Sequence, residues 1–166
     1  AILHSRHSLL ALATGPCGDD EHDHEFLAIA SARGVLLLPP GALSKQASAA
    51  SRSRVFGLGR VDVLLSFLVD VRIAAWACSL ARHGAYNIHP SFLPRHRGHN
   101  PFFWSIWCGD ATGGLSAHVL TERFDSGDLV RQEAFAIPSD CTAGQLWQCC
   151  HTRAPAASRT THAAAP

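Results

Sequence analysis

The stretch VDVLLSFLVDVRIAAWACSLARHGAYNIH, residues 61–89, decides the fold of this chain. It opens on a Val- and Leu-rich run (61–69) of the kind a parallel sheet buries on both faces. Residues 74–83 carry a helical pattern that Gly84 stops, and AYNIH (85–89) reads as a second strand. A strand, a crossover helix and another strand make a parallel βαβ unit.

The same alternation extends outward. Upstream, SLLALAT (8–14) is strand-like and GPCGDD is a turn cluster. Residues 21–34 form a helix candidate, acidic at its start and closed by Gly34. VLLLP (35–39) is a further strand, and a weaker helix falls within 42–59. Downstream, residues 115–121 and 129–137 are strands joined by the turn ERFDSGD, and residues 142–153 open a helix. The order predicts an α/β fold with a doubly wound, mostly parallel sheet. One domain over 1–150 is expected, followed by a low-complexity tail over 151–166 that frays from residue 154.

Composition agrees with a core-forming protein: 47% of the 166 residues are hydrophobic and 16% charged. A formal net charge of +1 gives no overall drive toward nucleic acid or anionic membrane. The cysteines at 17, 78, 108, 141, 149 and 150 form no C-x-x-C pair, so neither a zinc site nor a disulfide framework is expected. No apolar run approaches the ~20 residues that cross a bilayer. A soluble, cytoplasmic protein is the expectation.

Chemistry concentrates just past the second strand, in YNIHPSFLPRHRG (86–98). Strand alternation puts Asn87 and His89 on one face, and α/β sheets bind ligands beyond the carboxyl ends of their strands. The pair is either a polar strand end satisfied by neighbours or half of an active site. Asp125, in FDSGD (124–128), is either a turn residue or a partner carboxylate, with Asp128 its rival.

Taken together, NIHPSFLPRHRG, the GD at 109–110 and FDSGD at 124–128 resemble the family of formyltransferases that use 10-formyltetrahydrofolate. The specific match covers about 86–132, and the looser strand order reaches back to about residue 8. The resemblance implies a Rossmann-like fold, with Asn87, His89 and Asp125 as the catalytic trio. It implies formyl transfer from 10-formyltetrahydrofolate to a primary amine of a methionyl-tRNA or sugar-nucleotide kind, without a metal. Ser91, Phe92, Leu93 and Pro94 would be the folate-contacting loop, with Val71 and Phe124 on the two walls of the pterin pocket. Asp70 and Arg72 depart from the common Gly-containing form of that pocket.

The family fold begins one strand earlier than AILHSRHSLL, so a domain clipped at both ends and lacking the first strand is expected. Alternatives are hydrolysis of the formyl folate, with water as acceptor, or a non-catalytic remnant that binds folate or a partner. An unrelated nucleotide-binding domain would need a G-x-G-x-x-G that the chain lacks. Arg95 and Arg97 either hold an acceptor phosphate or lie on a solvated loop. EHDHE (21–25) is a weak metal candidate, because His-x-His at a helix start splays its side chains. PFFWSIW (101–107) has the helical spacing of a core segment.

Overall fold

The computed structural model describes residues 8, 10–13, 28, 31–39, 41–69 and 71–161. The elements follow in the order β1 (Ala11–Ala13), β2 (Leu36–Leu38), α1 (Ala49–Phe56), β3 (Leu64–Phe67), α2 (Ala75–Cys78), β4 (Ala85–His89), α3 (Pro101–Trp107), β5 (Thr112–Val119), β6 (Leu129–Ala136) and α4 (Ala143–Thr161). Ala28, Ser31 and Ala32 are also helical, inside the helix expected over 21–34.

β1 and β2 pair in parallel, and a separate sheet runs β3-β4-β5-β6. Within it β3 and β4 are parallel, while β5 and β6 add antiparallel strands. This is the α/β architecture with a central sheet that the sequence implied. The βαβ unit is there, and AYNIH is β4 residue for residue. Its crossover is shorter than expected. The helix over 74–83 closes as one turn, α2, because Arg82 and His83 donate to the Val61 and Asp62 carbonyls, both at 2.8 Å, and draw the chain into a parallel bridge at Val61 and Ala81.

Local chemistry sets the helix ends. Ser48 caps α1 by accepting the Ser51 N–H at 3.1 Å. Thr142 and Gln145 bond reciprocally ahead of α4: the Gln145 N–H donates to Thr142 Oγ1 at 3.2 Å, and the Thr142 N–H to Gln145 Oε1 at 2.8 Å. That is a capping box. The helix then runs on to Thr161, through the first residues of the tail expected to fray from residue 154. Ala154 is the reason, since it is buried in the main core.

That core lies between β4–β6 and α4 and gathers Ile88, Leu115, Phe135, Ile137, Leu146 and Cys150. Burial of Cys150, beside the Cys149 thiol, pushes its thiol up to about 12. A smaller cluster of Leu38, Ala42 and Val55 packs with Trp76 and Leu80. α3 is core on one face only. Phe102 and Ile106 pack on the main cluster, while Phe103, Trp104 and Trp107 remain 49%, 46% and 72% exposed. Among the described residues, no helix is long and apolar enough to cross a membrane.

Candidate active site

Strand register builds the site. Ser66 of β3 pairs with Asn87 of β4, and Asn87 pairs with His118 of β5, so three polar residues form a row across the sheet. His89, Ser116 and Gln132 form a second row two residues along. Residues two apart in a strand share a face, so both rows belong to one side of the sheet.

Asp125 completes the first row from the turn after β5. Its Oδ1 accepts from Asn87 Nδ2 at 3.2 Å and lies 3.3 Å from His118 Nε2. Its Oδ2 accepts the Gly98 N–H at 2.8 Å and lies 3.5 Å from His89 Nδ1. The turn is braced by Thr121 and Ser126, whose hydroxyls both donate to the Arg123 carbonyl. Gly127 makes the turn possible. A Cβ there would sit 1.9 Å from the Val119 carbonyl oxygen, a backbone atom that cannot step aside.

The carbonyl contacts fix the ring protons. His118 Nδ1 donates to the Val119 carbonyl at 2.9 Å, and His89 Nε2 donates to the His96 carbonyl at 2.8 Å, because a carbonyl only accepts. In neutral His118, Nε2 is then an acceptor for the Asn87 amide, 3.2 Å away. His89 keeps Nδ1 for Asp125 and the open side of the site.

Burial drives the imidazole of His89 below its ordinary range, and the attraction of Asp125 and the His96 carbonyl offset it only in part. For Asp125, burial works upward. With a proton on Nε2, the hydrogen bond from His118, together with the charge of His89 and the Gly98 N–H, outweighs it and holds the carboxyl below its usual range. The site therefore contains a carboxylate beside an imidazole of reduced basicity.

A cleft of about 200 Å³ is lined by Asn87, His89 and Asp125. Leu68, Val69, Val71 and Ile73 give it one apolar wall and Phe124 another. Arg72 ties the walls together, stacked over the Phe124 ring at 4.9 Å and donating to the Glu122 carbonyl at 3.4 Å. Among the described residues, four other than glycine have positive φ: Leu68, His96, Asn100 and Asp125. Three of them line the cleft and His96 holds His89, so the backbone strain gathers at the site.

The structure thus brings together Asn87, His89, Asp125, Val71 and Phe124 from the residues singled out in the sequence. It does not bring Ser91, Phe92, Leu93 and Pro94 to the cleft. Ser91 donates its hydroxyl to the Arg95 carbonyl at 2.7 Å and accepts at its own carbonyl from Ser116. Leu93 gives its N–H to Ser116 Oγ at 3.0 Å, and its carbonyl accepts from Gln132 Nε2 at 2.8 Å. Phe92 lies over Gly114, and Pro94 is exposed. The loop is pinned to the sheet by its own polar groups, and only Pro90 before it lines the cleft.

Asp128 is exposed, outside the cluster that holds Asp125. His118, 1% exposed, is the residue of this polar cluster that sequence reading missed. EHDHE and Asp70 lie outside the described residues. Among the described residues, no group of three or more His, Cys, Asp or Glu is placed to hold a metal ion.

Fold and site together define an α/β protein with an amide, two imidazoles and a carboxylate gathered at the carboxyl ends of its parallel strands. The chain belongs to the formyl transferase family, whose model matches residues 72–160. It is 30% identical over 143 residues to a methionyl-tRNA formyltransferase of Anaplasma marginale (strain St. Maries), covering 83% of this chain and 46% of that protein. Against a methionyl-tRNA formyltransferase of Variovorax paradoxus (strain S110) the identity is 37% over 98 residues, covering 59% of this chain and 30% of that one. The chain thus spans half or less of the length of these relatives. A phosphoribosylglycinamide formyltransferase from Bacillus halodurans shares the fold, with a TM-score of 0.76 at 18% identity over 94% of this chain and 79% of its own.

Proposed function

We propose that this chain transfers a formyl group from 10-formyltetrahydrofolate to a primary amine, with Asn87, His89 and Asp125 as its catalytic residues. One observation carries the reading: the Asn87 amide and the His89 ring lie 3.2 and 3.5 Å from the same buried carboxylate on the cleft floor. Family membership supports it, and so do the apolar cleft walls that include Val71 and Phe124, which suit a pterin ring.

Attack of an amine on a formyl carbon develops charge on the former carbonyl oxygen. Donors aimed at that oxygen are usually the largest catalytic term. Asn87 donates through its amide without titrating, one of its two N–H bonds turning from His118 or Asp125 to the oxyanion. His89, with Nε2 held by the His96 carbonyl, has Nδ1 free to carry a proton toward the cleft. Asp125 stabilises the imidazolium, takes up the proton that the amine loses, directly or through water, and returns it to the folate N10 as the formyl C–N10 bond breaks and tetrahydrofolate leaves. His118, bonded to the Val119 carbonyl, holds the Asn87 amide in register across the strands.

The two relatives named for methionyl-tRNA put an aminoacyl α-amine first among acceptors to assay, with a sugar-nucleotide amine second. A cytoplasmic setting belongs to the same reading. The test is calorimetric titration of the chain with a stable 10-formyltetrahydrofolate analogue, followed by a formyl-transfer assay against those amines. Saturable 1:1 binding and transfer are expected. A folded chain that binds no folate overturns the reading.

A further inference from the structure

We infer that Asp110 is a positioning residue that holds His89 in its working orientation from outside the cleft. The inference rests on the proposed function for its catalytic meaning. Asp110 does not line the cleft, and its side chain is 5% exposed. Its Oδ1 lies 2.5 Å from Arg95 Nη2 and its Oδ2 2.5 Å from His96 Nε2. The two donors are consecutive residues of one loop, so the carboxylate closes a clamp on it.

That loop supplies both catalytic side chains with their backbone partners. The His96 carbonyl receives His89 Nε2–H at 2.8 Å, and two residues on the Gly98 N–H reaches Asp125 at 2.8 Å. His96 adopts φ of 52°, a left-handed conformation that a residue with a Cβ rarely takes unaided. The conformation turns its carbonyl toward His89 while its ring engages Asp110. Arg95 is 64% exposed, so solvent screens that contact, and the His96 ring at 12% is the stronger half of the clamp.

The ionisable groups facing His89 are Asp125, His118 and His96. Asp110 acts on it only through the backbone of His96. This gives the GD at 109–110 a task, and it pairs Arg95, one of the two arginines considered for an acceptor phosphate, with Asp110 at the surface.

The experiment is nitrogen-15 NMR of the histidine rings of the full chain, with the His89 signals identified by their loss in His89→Gln. Wild type is expected to show His89 protonated at Nε2, and Asp110→Asn to redistribute the proton between Nε2 and Nδ1. In the same variant kcat should fall about 10- to 100-fold, the cost of a catalytic group misplaced by an ångström or less. Affinity for the folate analogue should stay within about threefold, since ground-state binding is untouched. If Asp110→Asn does not fold, His96→Ala removes the stronger half of the clamp and is read in the same way. Unchanged His89 signals in a folded variant, or a wild-type His89 protonated at Nδ1 alone, overturn the inference. Absence of formyl transfer in wild type is a failure of the proposed function instead, and leaves the NMR test of the clamp standing.

Discussion

A single carboxylate organises the candidate site. Asp125 meets Asn87, His89, His118 and the Gly98 N–H with its two oxygens, so each neighbour's role depends on it. Replacing a donor to the developing oxyanion should slow turnover by ~100-fold or more while folate affinity holds. Asn87→Ala and His89→Ala are expected to behave so in steady-state kinetics paired with calorimetry. Asp125→Asn should join them and Asp128→Asn should not, because Asp128 is exposed and outside the cluster. The opposite ranking would move the catalytic carboxylate to Asp128. That Asn87, His89 and Asp125 come together was legible through the resemblance of N-x-H and the distant D-x-G to the formyltransferase pattern. His118 was not. It lies in a strand with residues 113–118 all buried, where no alternation marks one face, and its position opposite Asn87 is a matter of register. The signal available was its spacing two residues from Ser116, which becomes informative only once the strand pairing is known.

At the scale of elements, the loop and turn around the site are fixed from β5. Ser116 accepts the Leu93 N–H and donates to the Ser91 carbonyl, with Gln132 of β6 bonded beside it. Ser116→Ala strands a buried N–H and a carbonyl, which costs about 1–3 kcal/mol of stability. Urea unfolding should register that loss, and a change of a few tenths would mean the loop is held by something else. The turn is fixed by a contact rather than a bond. Gly127→Ala puts a methyl group into the Val119 carbonyl, so the Asp125 turn must open. Its turnover should fall at least as far as that of Asp125→Asn, and an active Gly127→Ala would show the turn to be adjustable. The helix endings were readable where side chains make them, as in the Thr142–Gln145 box. The length of α2 and the outward face of α3 were not, because each depends on where a distant strand lies.

Across the whole molecule, the site sits on the half with the larger core. The cluster under β4–β6 and α4 holds eight of the seventeen buried hydrophobic residues described, while the β1–β2 side keeps a cluster of three. That placement offsets the cost of burying His89, His118 and Asp125 on the same sheet. It also ties stability to pH with a definite sign. His89 titrates below its ordinary 6.5 in the folded chain, chiefly through burial, so the unfolded chain takes up the proton more readily. Folding is then weakened as pH falls through 6.5 toward the lower folded value. Asp125, held below its ordinary 3.8, adds stability above that value and loses it at more acid pH, in the same direction. Urea midpoints of the wild-type chain should therefore decline between pH 7 and pH 5. With eleven histidines in the chain, the comparison that isolates the site is His89→Gln, which has no imidazole to charge there. Its midpoint should fall less steeply over that window than that of wild type. A parallel decline would place the acid sensitivity in other histidines, and a steeper one would mean that the charged form of His89 is the one the fold favours.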